Sequence, residues 1–219
     1  MGTGTRRRVP RRLAAGFCGA LLAAIAAGQT RWTAEVLSGG AANAGTRLTV
    51  ETEGAPRTDF SARWATRPFT TPIYWAVRLG RSGARGGWEV ELVHHKIYLE
   101  NPDAVVSRFE ITHGFNLATV HRTWIRSGWI LRAGAGAVVA HAESTVRGAR
   151  ASRGYRVAGP AFQAGAGRRF RVTRHLFGTL EGKVTYGRAS VGVAGGRART
   201  SNLAFHGLFG VGAVFPAAP

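Results

Sequence analysis

NLAFHGLFGVGAVF, residues 202–215, is best read by counting in twos. Successive side chains of a strand point to opposite faces. Leu203, Phe205, Phe209, Val211, Ala213 and Phe215 therefore share one face. Asn202, Ala204, His206, Leu208, Gly210, Gly212 and Val214 take the other. One face is large and apolar, the other small or polar. A strand with hydrocarbon on one side and a crowded, narrow interior on the other has this composition.

The same split recurs upstream. In LFGTLEGKVTY, Leu176, Leu180, Val184 and Tyr186 oppose Thr179, Glu181, Lys183 and Thr185. In WILRAGAGAVVA, Trp129, Leu131 and Val139 oppose Arg132, Gly134 and Gly136. Trp88, Val90 and Leu92 alternate with Glu89 and Glu91, and Ile73, Trp75, Val77 and Leu79 with Ala76 and Arg78. Strands are expected near 46–53, 73–80, 87–99, 108–121, 128–141, 155–168, 176–191 and 201–215. Periodicity alone would also fit a soluble sandwich with its apolar face inside. Two features favour a membrane barrel. The small face is rich in glycine, as a narrow lumen requires. The connections also alternate, short and basic at 81–86, 122–127 and 169–175, mostly longer at 54–72, 100–107, 142–154 and 192–200. The expected fold is all-β: one closed antiparallel transmembrane β-barrel of about eight strands, too narrow for a pore.

The first residues point to export. Arg6, Arg7, Arg8, Arg11 and Arg12 precede the apolar run LAAGFCGALLAAIAAG, Leu13–Gly28, which ends in small residues. A basic flank, a short apolar core and an Ala-x-Ala-like end mark a cleavable signal peptide. The run is too short to span a bilayer comfortably. The expected organisation is a signal peptide at 1–28 and a barrel domain at 29–219. The domain then lacks Cys18, so no disulfide can hold it. No other segment has helix-spanning length without charge, and backbone facing lipid must close its hydrogen bonds in a helix or a barrel.

Removing those five arginines takes the formal charge from +19 to +14. Such an excess attracts polyanions. Export argues against nucleic acid and for the phosphates of lipopolysaccharide. Arg57, Arg63, Arg67, Arg147, Arg150, Arg153, Arg197 and Arg199 fall in the expected outer loops. The inward parity collects Arg78, Glu89, Glu91, Glu110, Arg132, Gln163, Glu181, Lys183 and His206. Opposite charges in a sealed lumen should pair, because an isolated buried charge is prohibitively costly. Trp88, Trp124 and Trp129 are expected near the inner boundary, and Trp75 and Tyr98 near the outer one, as aromatic girdles.

A second group gathers at the expected outer rim. His94, His95 and Lys96 end one strand, His113 lies across the hairpin, and His141, Glu143 and Ser144 end the neighbouring strand. His141, Ser144 and Glu143 supply the types of a base, a nucleophile and an orienting acid. His94, His95 and His113 are possible metal ligands, but adjacent histidines on a strand point to opposite faces, so at most one of the pair could join. Water, headgroup or loop contact is the third option. No metal site and no cofactor motif is assigned; Gly134, Gly136, Gly165 and Gly167 alternate along strands rather than opening a helix. His121 and His175 are expected at the inner end and receive no role.

The whole pattern resembles the small eight-stranded outer-membrane barrels, a group that includes structural and adhesin-like barrels and lipid A-modifying enzymes. Phe215 resembles the terminal aromatic that the barrel-assembly machinery reads in that family, here followed by four further residues. The rim is similar to that of the lipid A deacylase barrels, which use a Ser-His-acid set; their His-x-Ser spacing is here His141-Ala142-Glu143-Ser144. The resemblance implies a bacterial outer-membrane location, with lipid and lipopolysaccharide as partners. The leading expectation is a monomeric structural or interaction barrel whose basic outer loops face lipopolysaccharide. The alternatives are a lipid A acyl hydrolase and a periplasmic lipocalin-like barrel holding an apolar ligand.

Overall fold

The computed structural model describes residues 30–216. The expected signal peptide lies outside them. Along the chain run β1 (Arg31–Asn43), β2 (Thr46–Thr52), β3 (Thr58–Ala62), β4 (Trp64–Ala65), β5 (Trp75–Gly83), β6 (Gly86–His94), β7 (Ile97–Leu99) and β8 (Val106–Ile111). They are followed by β9 (Phe115–Arg126), β10 (Trp129–Ala140), β11 (Glu143–Val146), β12 (Ala149–Ser152), β13 (Arg156–Arg171), β14 (Leu176–Val193) and β15 (Gly196–Pro216). No helix occurs among the described residues.

Eight strands are hydrogen-bonded in the order β1-β5-β6-β9-β10-β13-β14-β15, and β15 pairs back onto β1, which completes a ring. Every pairing in it is antiparallel. Short turns join β5 to β6, β9 to β10 and β13 to β14 at the end that carries Arg31 and Pro216. Ser127 and Gly128, both at positive φ (48° and 79°), make the turn between β9 and β10. That backbone matches the twist of a two-residue hairpin and is the reason for glycine there.

The ring wears its apolar side chains outside. Val36, Leu79, Trp88, Val90, Phe162, Leu180, Phe205, Phe209 and Val211 are all exposed, Leu180 at 60 %. Such a continuous apolar exterior suits hydrocarbon rather than water. Trp32, Trp88, Trp124 and Trp129 mark the turn end of this belt, where Arg81, Arg122 and Arg168 lie over their rings. Trp88, Trp124 and Trp129, expected at one level, do lie together at this end of the ring. Trp75 instead stacks on His94, and Tyr98 lies in β7 beneath Arg67.

At the opposite end the connections are folded. A second sheet has the order β12-β11-β8-β7-β4, and the β2–β3 hairpin extends the outer part of β15. Leu48, Val50, Trp64, Ile97, Val106, Phe109, Ile111 and Val146 form its apolar core, continuous with Phe115, Leu117 and Val138 at the upper lumen. The barrel is thus closed above by a packed layer.

The structure corrects the expected strand map in three places. The first ring strand is β1, 31–43, and the expected 46–53 is β2 in the outer layer. Gly39-Gly40 and Ala41-Ala42 blur the alternation of β1, which hides it in the sequence. The expected strands 87–99 and 108–121 are each broken, into β6 with β7 and β8 with β9. Gly114, at φ 131°, turns the chain between β8 and β9. Glu110 consequently sits in β8 of the outer layer beside Arg108, not in the lumen.

Candidate functional site

Two polar constellations and one surface stand out. The first fills the lumen. Arg78 donates from Nε to Glu91 Oε2 (2.7 Å), from Nη1 to Glu35 Oε2 (3.4 Å) and from Nη2 to Glu181 Oε1 (2.8 Å). Arg132 Nε donates to Glu89 Oε2 at 2.7 Å, and its Nη1 lies 2.8 Å from Glu181 Oε2. Lys183 pairs with Glu91, and Arg169 with Glu35 and Glu89. Thr179 and Gln163 add donors to Glu35 and Glu91. Four carboxylates thus meet four cations, which a low-dielectric lumen demands of buried charges.

Arg78, Glu89, Glu91, Arg132, Glu181 and Lys183, expected to point inward, are all buried here, and Glu35 and Arg169 join them without a signal in the expected strand map. Glu35 lies on the overlooked β1, although the pattern Thr33-Glu35-Leu37 carried the same parity. Arg169 falls in an expected turn, 169–175, whereas β13 continues through Arg171. His121 is another correction: it is buried in the lumen beside Gln163 and Thr119, not at the inner end. His206 is held between Tyr74 and Thr185, each 2.8 Å away. The glycine face makes this filling feasible. A Cβ on Gly134 would lie 2.1 Å from His121 Cδ2, and one on Gly165 would lie 2.7 Å from Lys183 Cβ.

The rim residues divide into two groups. His94 closes β6 and His95 follows it outside the strand, and the two buried rings meet different partners. His94 Nδ1 meets Asn116 Oδ1 at 2.8 Å, whereas His95 is fully buried with Nε2 near Asn43 and Asn202. Lys96 donates to the Thr70 carbonyl at 2.5 Å, and its burial pulls its pKa down, with Arg67 adding to the effect. His113 lies apart from these three and joins His141 and Glu143. Their ligand atoms all fall within 4.8 Å of one another.

The expected Ser-His-acid set is not assembled. His141 Nε2 faces Ser152 Oγ at 3.3 Å, and Ser144 Oγ is buried with no hydrogen-bond partner. Glu143 contacts His113 Nδ1 (3.3 Å) and Arg108 (3.1 Å). Glu143 and Ser144 are consecutive in β11, so their side chains leave on opposite faces. Arg108 also pairs with Glu110, a hydrogen bond that raises the Arg108 pKa.

The third feature is a basic collar above the apolar belt. On β14 the outward row runs Leu180, Val184, Tyr186, Arg188; on β15 it runs Phe209, Phe205, Leu203, Ser201, Arg199, Arg197. Arg188 and Arg199 join Arg47, Arg57, Tyr186 and Pro160 around a cleft of about 490 Å³. Arg153, Arg156 and Arg197 line an adjoining cleft of about 550 Å³. Glu51 and Asp59 balance part of this charge through Arg199, Arg47 and Arg57.

No family model and no curated protein matches the chain. Solved structures do. AlkL, an outer membrane protein solved in lipid bilayers, is 12 % identical, with 100 % of this chain and 99 % of that chain covered and a TM-score of 0.46. Ail, the attachment invasion locus protein of Yersinia pestis, is 12 % identical over 83 % of this chain and 98 % of its own, with a TM-score of 0.37. OprG of Pseudomonas aeruginosa is 11 % identical over 86 % and 95 %, with a TM-score of 0.38. In architecture the chain is similar to small bacterial outer-membrane barrels. At these identities the likeness concerns the fold alone.

Proposed function

We propose that this protein is an outer-membrane barrel whose basic collar holds the phosphates of lipopolysaccharide, in a structural or interaction role. The supporting observation is the switch on the outward rows of β14 and β15. Apolar side chains give way to Arg188, Arg199 and Arg197 within a few residues, where a hydrocarbon boundary would meet headgroups. Arginine forks match phosphate oxygens in pairs. Of the eight arginines expected in the outer loops, Arg57, Arg153, Arg197 and Arg199 line the two clefts, and Arg47, Arg156 and Arg188 join them, whereas Arg63, Arg67, Arg147 and Arg150 do not line them. A soluble ligand-binding barrel fits poorly, because the charges are inside the ring and the apolar side chains outside. Export through a cleaved signal peptide, insertion by the barrel-assembly machinery and a monomeric state complete the proposal.

The test is binding of lipopolysaccharide to the detergent-folded protein. Replacing Arg188, Arg197 and Arg199 together by glutamate is expected to weaken binding at least tenfold. Rising salt should weaken the native interaction by screening. Binding that ignores both the substitutions and the salt overturns the proposal.

A further inference from the structure

Where the chain leaves the ring for the outer layer, two of its links carry the donors of a metal site. His113 lies between β8 and β9, His141 lies between β10 and β11, and Glu143 opens β11. We infer that His113, His141 and Glu143 bind a divalent transition-metal ion of the zinc class and that the ion clamps the outer layer to the barrel rim.

The donor set suits such an ion. Two imidazoles and one carboxylate, with a place left for water, form a familiar open zinc site. His113 Nδ1 and Glu143 Oε1 are already 3.3 Å apart, close to the edge of a tetrahedron with metal–ligand bonds of about 2.0–2.1 Å. His141 is the second observation. Its Nδ1 is buried and has no hydrogen-bond partner, while Nε2 faces Ser152 Oγ. A histidine whose other nitrogen is held in this way is oriented for coordination. Arg108 grips Glu143 through Oε2, which fixes the carboxylate and leaves Oε1 directed at His113.

The surroundings hold these donors in place. The His141 amide donates to the Gly114 carbonyl at 3.3 Å, joining the two links. Tyr155, in the link that follows β12, donates its hydroxyl to the His113 carbonyl at 2.6 Å and sets its ring against His141. His113 is half-exposed, so an ion can enter from outside. Bound there, it would join the two links and the first residue of β11 through their side chains.

The experiment titrates Zn2+ into the tag-free, detergent-folded full chain and repeats the titration with Co2+, whose visible spectrum reports coordination. One equivalent is expected, with Co2+ absorption of a four-coordinate site that Zn2+ displaces. His113→Ala and His141→Ala should each weaken binding at least tenfold, and His175→Ala at the turn end should leave it unchanged. Folding of each variant is checked by circular dichroism; should His141→Ala fail to fold, the half-exposed His113 decides. Zn2+ should also slow proteolysis of the outer layer in the native chain and not in the variants. Native-like binding by His113→Ala, or no saturable binding by the native chain, overturns the site. Binding without protection overturns the clamp.

Discussion

Arg78 on β5 reaches Glu181 on β14 across the lumen, Nη2 to Oε1 at 2.8 Å, although two other strands separate them in the ring. The same guanidinium holds Glu35 and Glu91. Cross-lumen pairing of this kind braces a ring whose backbone bonds join only neighbours. Arg78→Met leaves buried carboxylates short of a partner and should cost about 3–5 kcal/mol. Urea unfolding of vesicle-inserted protein measures it; a cost under 1 kcal/mol would show the charges to be independent.

Gly134 and Gly182 make a matched pair. A methyl at Gly134 would strike His121 and the Val120 carbonyl, whereas one at Gly182 meets nothing within 4 Å. Gly134→Ala should destabilise by about 1–3 kcal/mol through overpacking. Gly182→Ala should stay within about 0.5 kcal/mol. Equal effects on the unfolding midpoint would refute a tightly filled lumen.

Leu180 is exposed on the outer row of β14. In water, a lysine there would change little. In hydrocarbon, Leu180→Lys should cost about 2–4 kcal/mol near the midplane and less towards the boundary. Comparing the variant in lipid vesicles therefore tests the membrane belt itself.

Phe109 packs on Trp64 in the outer layer, with ring centroids 6.0 Å apart, and is buried. Phe109→Ala should remove about 3–5 kcal/mol of local packing. Because the layer has its own sheet, the loss should appear as faster protease cleavage between residues 95 and 114. The compact electrophoretic mobility of the folded ring should persist. Loss of that mobility would mean that layer and ring fold as one unit.

The alternation of residues 202–215, 176–186 and 129–139, taken with the glycine-rich small face and the alternating connection lengths, determined the all-β ring, its apolar exterior and most of its inward charges. A period of two needs no knowledge of neighbours: each side chain's face follows from its position in an extended chain. The same logic set His94 and His95 on opposite faces, although His95 in fact follows β6. It could not show that Glu110 belongs to the outer layer, because the break at Thr112–Gly114 interrupts a strand without interrupting the alternation. Only the tertiary structure decided which partners meet. Arg169 finds Glu35, 134 residues away in the chain, and His113 meets His141 through two links that close over the rim. Such meetings depend on strand register and tilt around the whole ring, which are properties of closure and are not written in any one strand.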